Sequence, residues 1–309
     1  MIVTVTLNPS LDRTLHFPGV RIGALNRATR SRVDLSGKGV NVSIALREFG
    51  LESVMTGFVA GRFGGILAEG LREAGYATEF LEVPGETRSN ITVIDDASGV
   101  TTKLNEPGPC VAEGDLRALE GLLAGRLGAG DVCILSGSLP RGAPDDTYAR
   151  LVRLLGAGGI RVVLDSSGEP FRLGCAAGPD LVKPNAVEAG ELLGRAVAPD
   201  SRLAGDLQSM LALGPRRVLL SLDARGAAWA AAAGAWYAEA PAITEVSAVG
   251  AGDALLSGAL WAESQGLAAP EALRWGVAAG TAAAMGQGSA MPAKSLVRQV
   301  YEEVRVRAL

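Results

Sequence analysis

The hydrophobic positions of the chain form short, almost wholly apolar runs that alternate with amphipathic segments. Ile2 to Leu7 and Val132 to Leu135 are runs of the first kind, while Thr147 to Leu155 carries apolar residues at helical spacing. Apolar strands separated by helices are typical of a parallel sheet that is covered on both faces. The pattern therefore predicts an α/β fold in which a mostly parallel central sheet lies between two layers of helices. In such a sheet, ligands bind beyond the carboxyl ends of the strands.

Four other segments alternate between apolar and polar residues, which is typical of strands with one solvated face. They are Leu11 to Phe17, Arg30 to Leu35, Arg88 to Asp95 and Val100 to Asn105. They predict a small second sheet, with its strands within about 10–36 and 87–106. Placed over a cleft, such a sheet would act as a lid, and its apolar face could bind a partner subunit.

The strongest candidate for chemistry is the turn Gly250-Ala251-Gly252. The apolar, β-branched segment from Ile243 to Val249 predicts a strand before this turn, and the residues from Ala254 onward predict a helix after it. Free backbone N–H groups and the positive end of the helix dipole would meet here and bind an anion such as a phosphate. Asp253 lies in the same first turn, where it could complement the dipole or act as a general base beside a phosphoryl group.

The same four letters occur a second time, at Gly128-Ala129-Gly130-Asp131. This copy precedes a predicted strand instead of a helix, so it lacks the dipole and the cluster of amides. We therefore expect it to take no part in anion binding.

A second glycine turn, Gly37-Lys38-Gly39, opens a helix that is predicted to end near Gly50. Only four of the 29 basic residues are lysines, so lysine is not the default cation of this chain. Lys38 and the neighbouring amides could bind a second anion, or Lys38 could be a solvated residue in a capped turn. The turn is not a Walker A loop, because Gly39 stands where that loop has Ser or Thr.

Asn185 and Glu188 are three residues apart at the start of another predicted helix, which comes after Lys183-Pro184. Oxygen ligands at this spacing can hold a hydrated Mg²⁺ ion. The same pair can also form a capping box, in which each residue bonds the backbone of the other. Arg88, at the mouth of the predicted hairpin, is either a bidentate phosphate ligand or an ordinary surface arginine.

Composition excludes several classes of function. The chain has 309 residues, is 48% hydrophobic and carries a formal net charge of −4, which gives no reason to expect nucleic acid or a membrane as a partner. The three cysteines are far apart and fit reduced core thiols, and no apolar run is long enough for a membrane span. His16 is the single histidine, which leaves no histidine-based catalytic triad. We expect a cytoplasmic protein.

The joint pattern resembles the ribokinase-like (PfkB) carbohydrate kinases, in their phosphosugar branch. The resemblance runs nearly the whole length of the chain and is carried by the segments 6–12, 37–42, 105–109, 136–140, 183–185 and 249–253. It implies one ribokinase-like domain over residues 1–309, a three-layer α/β/α sandwich with a small β-sheet lid. It also implies ATP as the phosphoryl donor, Mg²⁺ as the cofactor and a homodimer formed through the lid.

The resemblance assigns roles to individual residues. Asp253 would take the proton from a sugar hydroxyl, and the amides of Gly250, Ala251 and Gly252 would hold the transferring phosphoryl group. Asn185 and Glu188 would organise Mg²⁺. The remaining roles divide between the two substrates: ATP would be bound by Lys183, Ser221, Gly226, Gly250 and Gly252, and the sugar phosphate by Asp12, Gly37, Lys38, Gly39, Asn41 and Arg88.

The resemblance implies phosphorylation of a ketohexose phosphate, with fructose 1-phosphate favoured by the form of the Lys38 turn. Tagatose 6-phosphate and fructose 6-phosphate are the alternative acceptors, and a non-catalytic sugar-phosphate or nucleotide sensor is the alternative of another class. A dinucleotide oxidoreductase is disfavoured, because no Gly-x-Gly-x-x-Gly comes after the first strand. Two positions depart from the family pattern: Ser36 and Asp223 stand where glycine is usual.

Overall fold

The computed structural model describes residues 1–288 and 290–309. The first half of the chain contains eight strands and three helices. These elements are β1 (Ile2–Thr6), β2 (Ser10–Phe17), β3 (Arg30–Ser36), α1 (Lys38–Glu48), β4 (Val54–Val59), α2 (Gly61–Glu73), β5 (Ala77–Glu82), β6 (Arg88–Asp95), β7 (Thr101–Asn105), α3 (Glu113–Arg126) and β8 (Val132–Ser136).

The second half is a β-α alternation with a helical C-terminal part. Its elements are α4 (Thr147–Ala157), β9 (Arg161–Asp165), α5 (Gly168–Ala176), β10 (Leu181–Val182), α6 (Ala186–Leu193), α7 (Leu203–Leu211), β11 (Arg217–Ser221), a 3-10 turn (Asp223–Arg225), β12 (Ala227–Ala231), β13 (Gly234–Glu239), α8 (Ala251–Ser264), α9 (Ala269–Ala284), α10 (Lys294–Glu303) and β14 (Arg305–Ala308). No helix among the described residues is long and apolar enough to cross a membrane.

Ten strands form the central sheet, in the order β14-β13-β12-β11-β10-β9-β8-β1-β4-β5. The seven strands from β11 to β5 are parallel to their neighbours, and β12, β13 and β14 add an antiparallel edge. The carboxyl ends of β1, β8, β9 and β10 therefore lie side by side, which places the polar turns at those ends along one edge of the sheet.

Helices cover both faces of this sheet, each over its own apolar core. One core packs α3, α4, α5 and α7 against alternate residues of the strands, such as Val3 and Val5. The other packs α1, α8, α9 and α10 against the opposite face and includes Ile134 and Val163 of the strands. The predicted three-layer α/β/α architecture is confirmed.

The second sheet has four strands, in the order β3-β2-β6-β7. β2 pairs with β3 in antiparallel register and with β6 in parallel register, and β6 and β7 form the expected hairpin. A third apolar cluster, including Leu11, Leu67 and Leu71, joins this lid sheet to α2. The predicted small β-sheet, separate from the central one, is confirmed.

The strand predicted from Ile243 to Val249 is wrong. The chain is irregular between the end of β13 and α8, and Val246 and Val249 are exposed instead of packed in a sheet. The backbone N–H groups of Val246 and Ser247 donate to the carbonyl of Ala284 at the end of α9. The β-branched residues suggested a strand, but no neighbouring strand among the described residues pairs with this segment.

α8 and α9 pack unusually closely because glycines face the partner backbone. A Cβ atom added to Gly276 would lie 2.8 Å from the carbonyl oxygen of Leu255, and one added to Gly258 would lie 2.7 Å from that of Trp275. Larger side chains at these positions would push the helices apart. This contact holds α8 close to α9 and so restricts the position of α8.

Candidate active site

The turn Gly250-Ala251-Gly252 opens α8 as predicted, although it comes after an irregular segment. Gly250 is the N-cap residue and has φ +80°, a left-handed conformation that glycine adopts without strain. The first-turn amides of an α-helix have no acceptor within the helix. In α8 the N–H of Ala251 donates to the carbonyl of Ala248 at 3.3 Å, so Gly250 and Gly252 supply the amides of the turn that have no backbone acceptor among the described residues. The turn thus has the geometry of an anion-binding site.

Asp253 lies in this first turn and is only 6% exposed. Asn41 Nδ2, from α1, donates to its Oδ2 at 2.9 Å. Burial raises the pKa of Asp253 to about 6, with a further contribution from the negative charge of Asp165 and opposition from Lys183, Asn41 and Lys38. The carboxylate is therefore ionised at neutral pH but is a stronger base than an ordinary aspartate, which suits a general base.

The second glycine turn brings α1 against the first strand of the sheet. Gly37 has φ +146°, and a Cβ atom on it would lie 2.7 Å from Thr6 Cγ2. A Cβ atom on Gly39 would lie 2.5 Å from Thr6 Oγ1. Any other residue at either position would displace the helix start, so both glycines are required to place Lys38 and Asn41 at the sheet edge.

Lys38 is not a freely solvated lysine. Its Nζ donates to Asp165 Oδ1 at 2.8 Å and lies 4.0 Å from Glu188 Oε1. Burial lowers the pKa of Lys38, but the adjacent Asp165, with Glu188 and Asp253, more than offsets this and the pKa is raised overall, so the ammonium group is charged at neutral pH. Of the two interpretations of Lys38, the structure favours a fixed cation within the site.

Asp165 connects Lys38 to a second lysine. It ends β9, is completely buried, and its Oδ2 lies 3.1 Å from Lys183 Nζ. Burial would raise the pKa of Asp165, but the two lysines lower it overall. Lys183 in turn lies beside α8, since a Cβ atom added to Gly252 would be 3.3 Å from its Nζ.

Asn185 and Glu188 form a capping box at the start of α6. Asn185 Oδ1 accepts from the backbone N–H of Glu188, and Glu188 Oε2 accepts from that of Asn185, both at 2.9 Å. The capping interpretation therefore holds. It does not exclude the metal interpretation, because Glu188 Oε1 points toward Lys38 at the same sheet edge.

The donor set at this edge fits a hydrated Mg²⁺ ion better than a fully protein-bound metal. The described part of the chain contains no group of three or more His, Cys, Asp or Glu side chains arranged for a metal ion. Mg²⁺ usually keeps several waters and takes only one or two protein carboxylates together with substrate phosphates. Glu188 can supply one such oxygen.

Ser221 and Gly226 lie next to this region, at the end of β11 and after the 3-10 turn. Ser221 forms an isolated parallel bridge with Asn185, and its N–H donates to the carbonyl of Pro184 at 2.9 Å. Gly226 has φ +100°, and a Cβ atom there would collide with the carbonyl oxygen of Ala238. Both positions therefore border the same sheet edge as Lys183.

The backbone conformation of Asp223 accounts for its departure from the family pattern. Among the described residues it is the single non-glycine residue with positive φ, at +53°. Glycine adopts this left-handed conformation freely, and aspartate is one of the few other residues that tolerate it. The backbone turn is thus preserved with a carboxylate in place of a hydrogen atom.

Asp12 and Arg88 lie on the lid sheet, on adjacent strands. Asp12 Oδ1 accepts hydrogen bonds from Ser10 Oγ at 2.7 Å and from Asn90 Nδ2 at 3.0 Å. Arg88 Nε is buried and has no hydrogen-bond partner among the described residues. Burial lowers the pKa of Arg88, while Asp12 opposes the shift. A half-buried guanidinium group whose buried Nε donor is unused fits an anionic ligand.

Strand register brings these lid residues near the Lys38 turn. Ser10 of β2 is opposite both Ser36 of β3 and Arg88 of β6, and Ser36 is two residues before Lys38. Two strand spacings separate Arg88 from Ser36, or about 10 Å between their backbones. A small sugar phosphate can span that distance, so the lid residues and the Lys38 turn can contact one ligand.

Sequence reasoning missed three polar residues of this region: Asp165, Asn90 and Ser10. Asp165 ends a buried parallel strand, and that position alone could have marked it, because ligands bind at such ends. Asn90 and Ser10 gave no comparable signal, since their contacts with Asp12 depend on the register of β2 and β6.

Comparison with known proteins agrees with this geometry. The profile of the pfkB family carbohydrate kinases matches residues 6–295. A 1-phosphofructokinase of Bacillus subtilis is 35% identical over 310 residues, covering 100% of both chains. Among solved structures, phosphofructokinase-2 from Escherichia coli has a TM-score of 0.92 at 29% identity, covering 98% of each chain. A ribokinase from Thermotoga maritima, 18% identical, has a TM-score of 0.78 over 98% of this chain and 99% of its own.

Proposed function

Because the chain belongs to the pfkB family of carbohydrate kinases, we propose that it phosphorylates fructose 1-phosphate with ATP, forming fructose 1,6-bisphosphate. The observation that carries this proposal is the placement of Asp253. A buried carboxylate with a raised pKa lies in the first turn of α8, beside the amides of Gly250 and Gly252 and within the field of two lysines. Phosphoryl transfer requires this combination of base and fixed positive charge.

The transfer step uses few groups of the protein. The C6 hydroxyl of the sugar attacks the γ-phosphorus of ATP, its proton passes to the Asp253 carboxylate, and the bond from the γ-phosphorus to the β–γ bridging oxygen breaks to release ADP. The amides of Gly250, Ala251 and Gly252 donate to the oxygens of the transferring group, where charge is held in the transition state. Lys183, next to Gly252, adds positive charge on the ATP side.

Asn185 and Glu188 are the residues proposed to hold Mg²⁺, through Glu188 Oε1 and intervening water. When bound, the ion would offset negative charge on the ATP phosphates. Ser221 and Gly226 are proposed to line those phosphates at the adjacent strand end.

The acceptor is proposed to bind between the lid and α1. Arg88 and Lys38 would bind the phosphate already on the sugar, and Asp12 and Asn41 would bind its hydroxyl groups, with Gly37 and Gly39 shaping the turn. Asp12 suits this role because Ser10 and Asn90 occupy one carboxylate oxygen and thereby fix its orientation.

Fructose 1-phosphate is favoured over the other acceptors by the relative from Bacillus subtilis, which carries the name 1-phosphofructokinase. Tagatose 6-phosphate and fructose 6-phosphate are not favoured. The chain is a kinase by family, so the non-catalytic sensor is not favoured either.

A coupled assay of ADP release tests the proposal. Fructose 1-phosphate, fructose 6-phosphate, tagatose 6-phosphate and fructose are each supplied with ATP and Mg²⁺. We expect the highest kcat/KM with fructose 1-phosphate. A higher kcat/KM with either 6-phosphate would overturn the choice of acceptor, and no turnover of any sugar would overturn the kinase assignment itself.

The Arg88→Ala variant tests the placement of the acceptor phosphate. Loss of a half-buried, bidentate phosphate ligand should raise the KM for fructose 1-phosphate roughly 10- to 100-fold and leave the KM for ATP unchanged. Arg30→Ala is the matched control, because Arg30 lies on the same sheet but is exposed and pairs with Asp96. An unchanged KM for the sugar in Arg88→Ala would place the phosphate elsewhere.

We also propose a homodimer that forms through the lid. One row of the lid sheet aligns Val33, Arg13, Ile91 and Leu104 across its four strands. Val33 and Leu104 are each 54% exposed, an apolar surface that a second copy could cover. Light scattering should show a dimer for the natural chain and a monomer for Val33→Asp combined with Leu104→Asp.

A cytoplasmic location is proposed as well. Cys110, Cys133 and Cys175 are all free thiols, and two of them are buried. Persistent free thiols are typical of a reducing compartment.

A further inference from the structure

Asp165 is the most completely buried charged residue next to the site, and none of the roles above uses it. It is 0% exposed at the carboxyl end of β9. Its two oxygens face different lysines: Oδ1 accepts from Lys38 at 2.8 Å, and Oδ2 lies 3.1 Å from Lys183. Oδ2 has no hydrogen-bond partner among the described residues, so its contact with Lys183 is an ion pair. A buried carboxylate is costly unless it is paired, so the hydrogen bond and the ion pair together hold the two lysines beside Asp165.

The two lysines come from different parts of the chain and face different substrates. Lys38 belongs to the first turn of α1, next to the strands that carry Asp12 and Arg88. Lys183 belongs to the connection between β10 and α6 and lies beside Gly252 of α8. One carboxylate therefore joins the acceptor side of the site to the nucleotide side.

The backbone around Asp165 is itself rigidly held. The N–H of Gly137 donates to the carbonyl of Asp165 at 2.9 Å. Ser166 Oγ and Tyr148 Oη both donate to the carbonyl of Gly137 at 3.0 Å. The turns after β8 and β9 are thus tied together, and the carboxylate between them has little freedom to move.

We propose that Asp165 is a positioning residue that sets the separation between the sugar-phosphate and nucleotide subsites by holding Lys38 and Lys183 at a fixed distance. The inference rests on the proposed function, in which those lysines bind the two substrates. A shift of about 1 Å in reacting groups can cost up to a hundredfold in rate, so a common anchor for both subsites matters to the transfer.

Asp165 also acts on Asp253 through its charge. The groups that face Asp253 are Asn41 on α1, Lys38 at the start of α1, Lys183 before α6, and Asp165 at the end of β9. Asp165 is the one among them that raises the pKa of Asp253. Removing its charge should therefore move the acidic limb of the pH–rate profile to lower pH.

The Asp165→Asn variant tests the proposal, because it removes the charge and keeps the shape. We expect the KM for fructose 1-phosphate and the KM for ATP both to rise, each by about 10- to 100-fold. We also expect the acidic limb of kcat/KM to shift to lower pH. An effect on one KM alone, or an unshifted acidic limb, would overturn the proposal.

Asp206→Asn is the matched control. Asp206 is likewise a buried aspartate paired with a cation, since Arg195 bonds its Oδ1, but it lies on α7 away from the site. This variant should lose stability and keep both KM values and the pH profile. If Asp165→Asn behaved in the same way, its role would be structural only and the proposal would fail.

Asp165→Glu covers the case in which the asparagine variant does not fold. It keeps the charge and displaces the carboxylate by one methylene group. Both KM values should rise while the acidic limb stays near its natural pH, whereas natural KM values would overturn the proposal. If the natural enzyme prefers another sugar phosphate, the same measurements with that sugar test Asp165 independently of the proposed acceptor.

Discussion

The sequence Gly-Ala-Gly-Asp occurs twice in this chain, and the two copies have opposite surroundings. At 128–131 it forms the connection before β8, where Asp131 accepts a hydrogen bond from the N–H of Gly128 at 2.9 Å and pairs with the amino group of Met1. At 250–253 it opens α8 and buries Asp253 beside Asn41. The letters are identical, but only the second copy has a helix behind it.

The pKa values of the two aspartates are shifted in opposite directions. The amino group of Met1 and the N–H of Gly128 lower the pKa of Asp131. Burial and the charge of Asp165 raise the pKa of Asp253 to about 6. Four residues in a row therefore do not determine the chemistry of the aspartate, which depends on the next element of the chain and on the depth of burial.

The largest contrast is expected between Asp253→Asn and Asp131→Asn. Loss of a general base should lower kcat by about 1,000-fold or more in Asp253→Asn, with KM values little changed. Asp131→Asn should keep its natural kcat, because that carboxylate bonds the turn at Gly128 and the amino group of Met1 and lies outside the site. Steady-state assays of both variants check this, and a natural kcat in Asp253→Asn would remove Asp253 from the chemistry.

The stability of Asp253→Asn shows whether a loss of activity comes from the chemistry or from the folding of the variant. Burial holds the pKa of Asp253 in the folded chain above that of an ordinary aspartate, so its contribution to stability is lost as pH rises through about 6. A neutral asparagine removes this loss and should raise the free energy of unfolding at alkaline pH by up to about 3 kcal/mol. Urea denaturation of Asp253→Asn measures this free energy of unfolding. A value well below that of the natural protein would contradict the prediction, and loss of folded protein could then explain the loss of activity.

A second contrast concerns pH. Since Asp253 must be ionised to accept a proton, kcat/KM should fall about tenfold per pH unit below roughly pH 6. Asp131→Asn should show the same profile, because the lowered pKa of Asp131 keeps it ionised throughout that range. A profile that is flat across the range around pH 6 would contradict the assignment of Asp253 as the base.

The smallest contrast is expected between the glycines that precede the two aspartates. A Cβ atom on Gly252 would lie 3.3 Å from Lys183 Nζ, so Gly252→Ala should lower kcat/KM for ATP by roughly tenfold through displacement of the lysine. Its stability should be kept or improved, because alanine is the better helix former.

Gly130→Ala should show the reverse. Gly130 has φ +89° and open space around its missing Cβ atom, so alanine there is strained by roughly 1–2 kcal/mol but touches nothing in the site. Thermal unfolding and initial rates of both variants separate the two effects. Equal losses of activity in the two alanine variants would show that the copies do not differ in function.

Much of the fold could be predicted because its periodicities are clean. The buried runs of β1 and β8 and the alternating strands of the lid differ in how their two faces are buried, and the hydrophobic pattern reports that difference. For the segment before Gly250 the pattern predicts a strand wrongly, because β-branched residues also occur on exposed loops. The residues 243–249 do not by themselves show whether another strand lies beside them.

The roles of the site residues stay predictions. Their positions in the fold could be predicted from the sequence only in part. Lys38 and Asn185 lie in turns that border buried strands, and such turns can be found in the sequence. The pairing of Lys38 with Asp165 could not, because it depends on two strand ends that are 127 positions apart along the chain. Contacts of that kind depend on the order of strands in the sheet, which pattern alone does not specify.

The burial of Asp253 has a consequence for the fidelity of the reaction. A carboxylate able to take a proton from a sugar alcohol can equally take one from water, and ATP would then be hydrolysed without product. If Asp253 is the base, as we propose, Asn41 and the first turn of α8 cover most of it, and only 6% of the residue is exposed. Few water molecules could then contact the proposed base at one time, which would limit the hydrolysis of ATP.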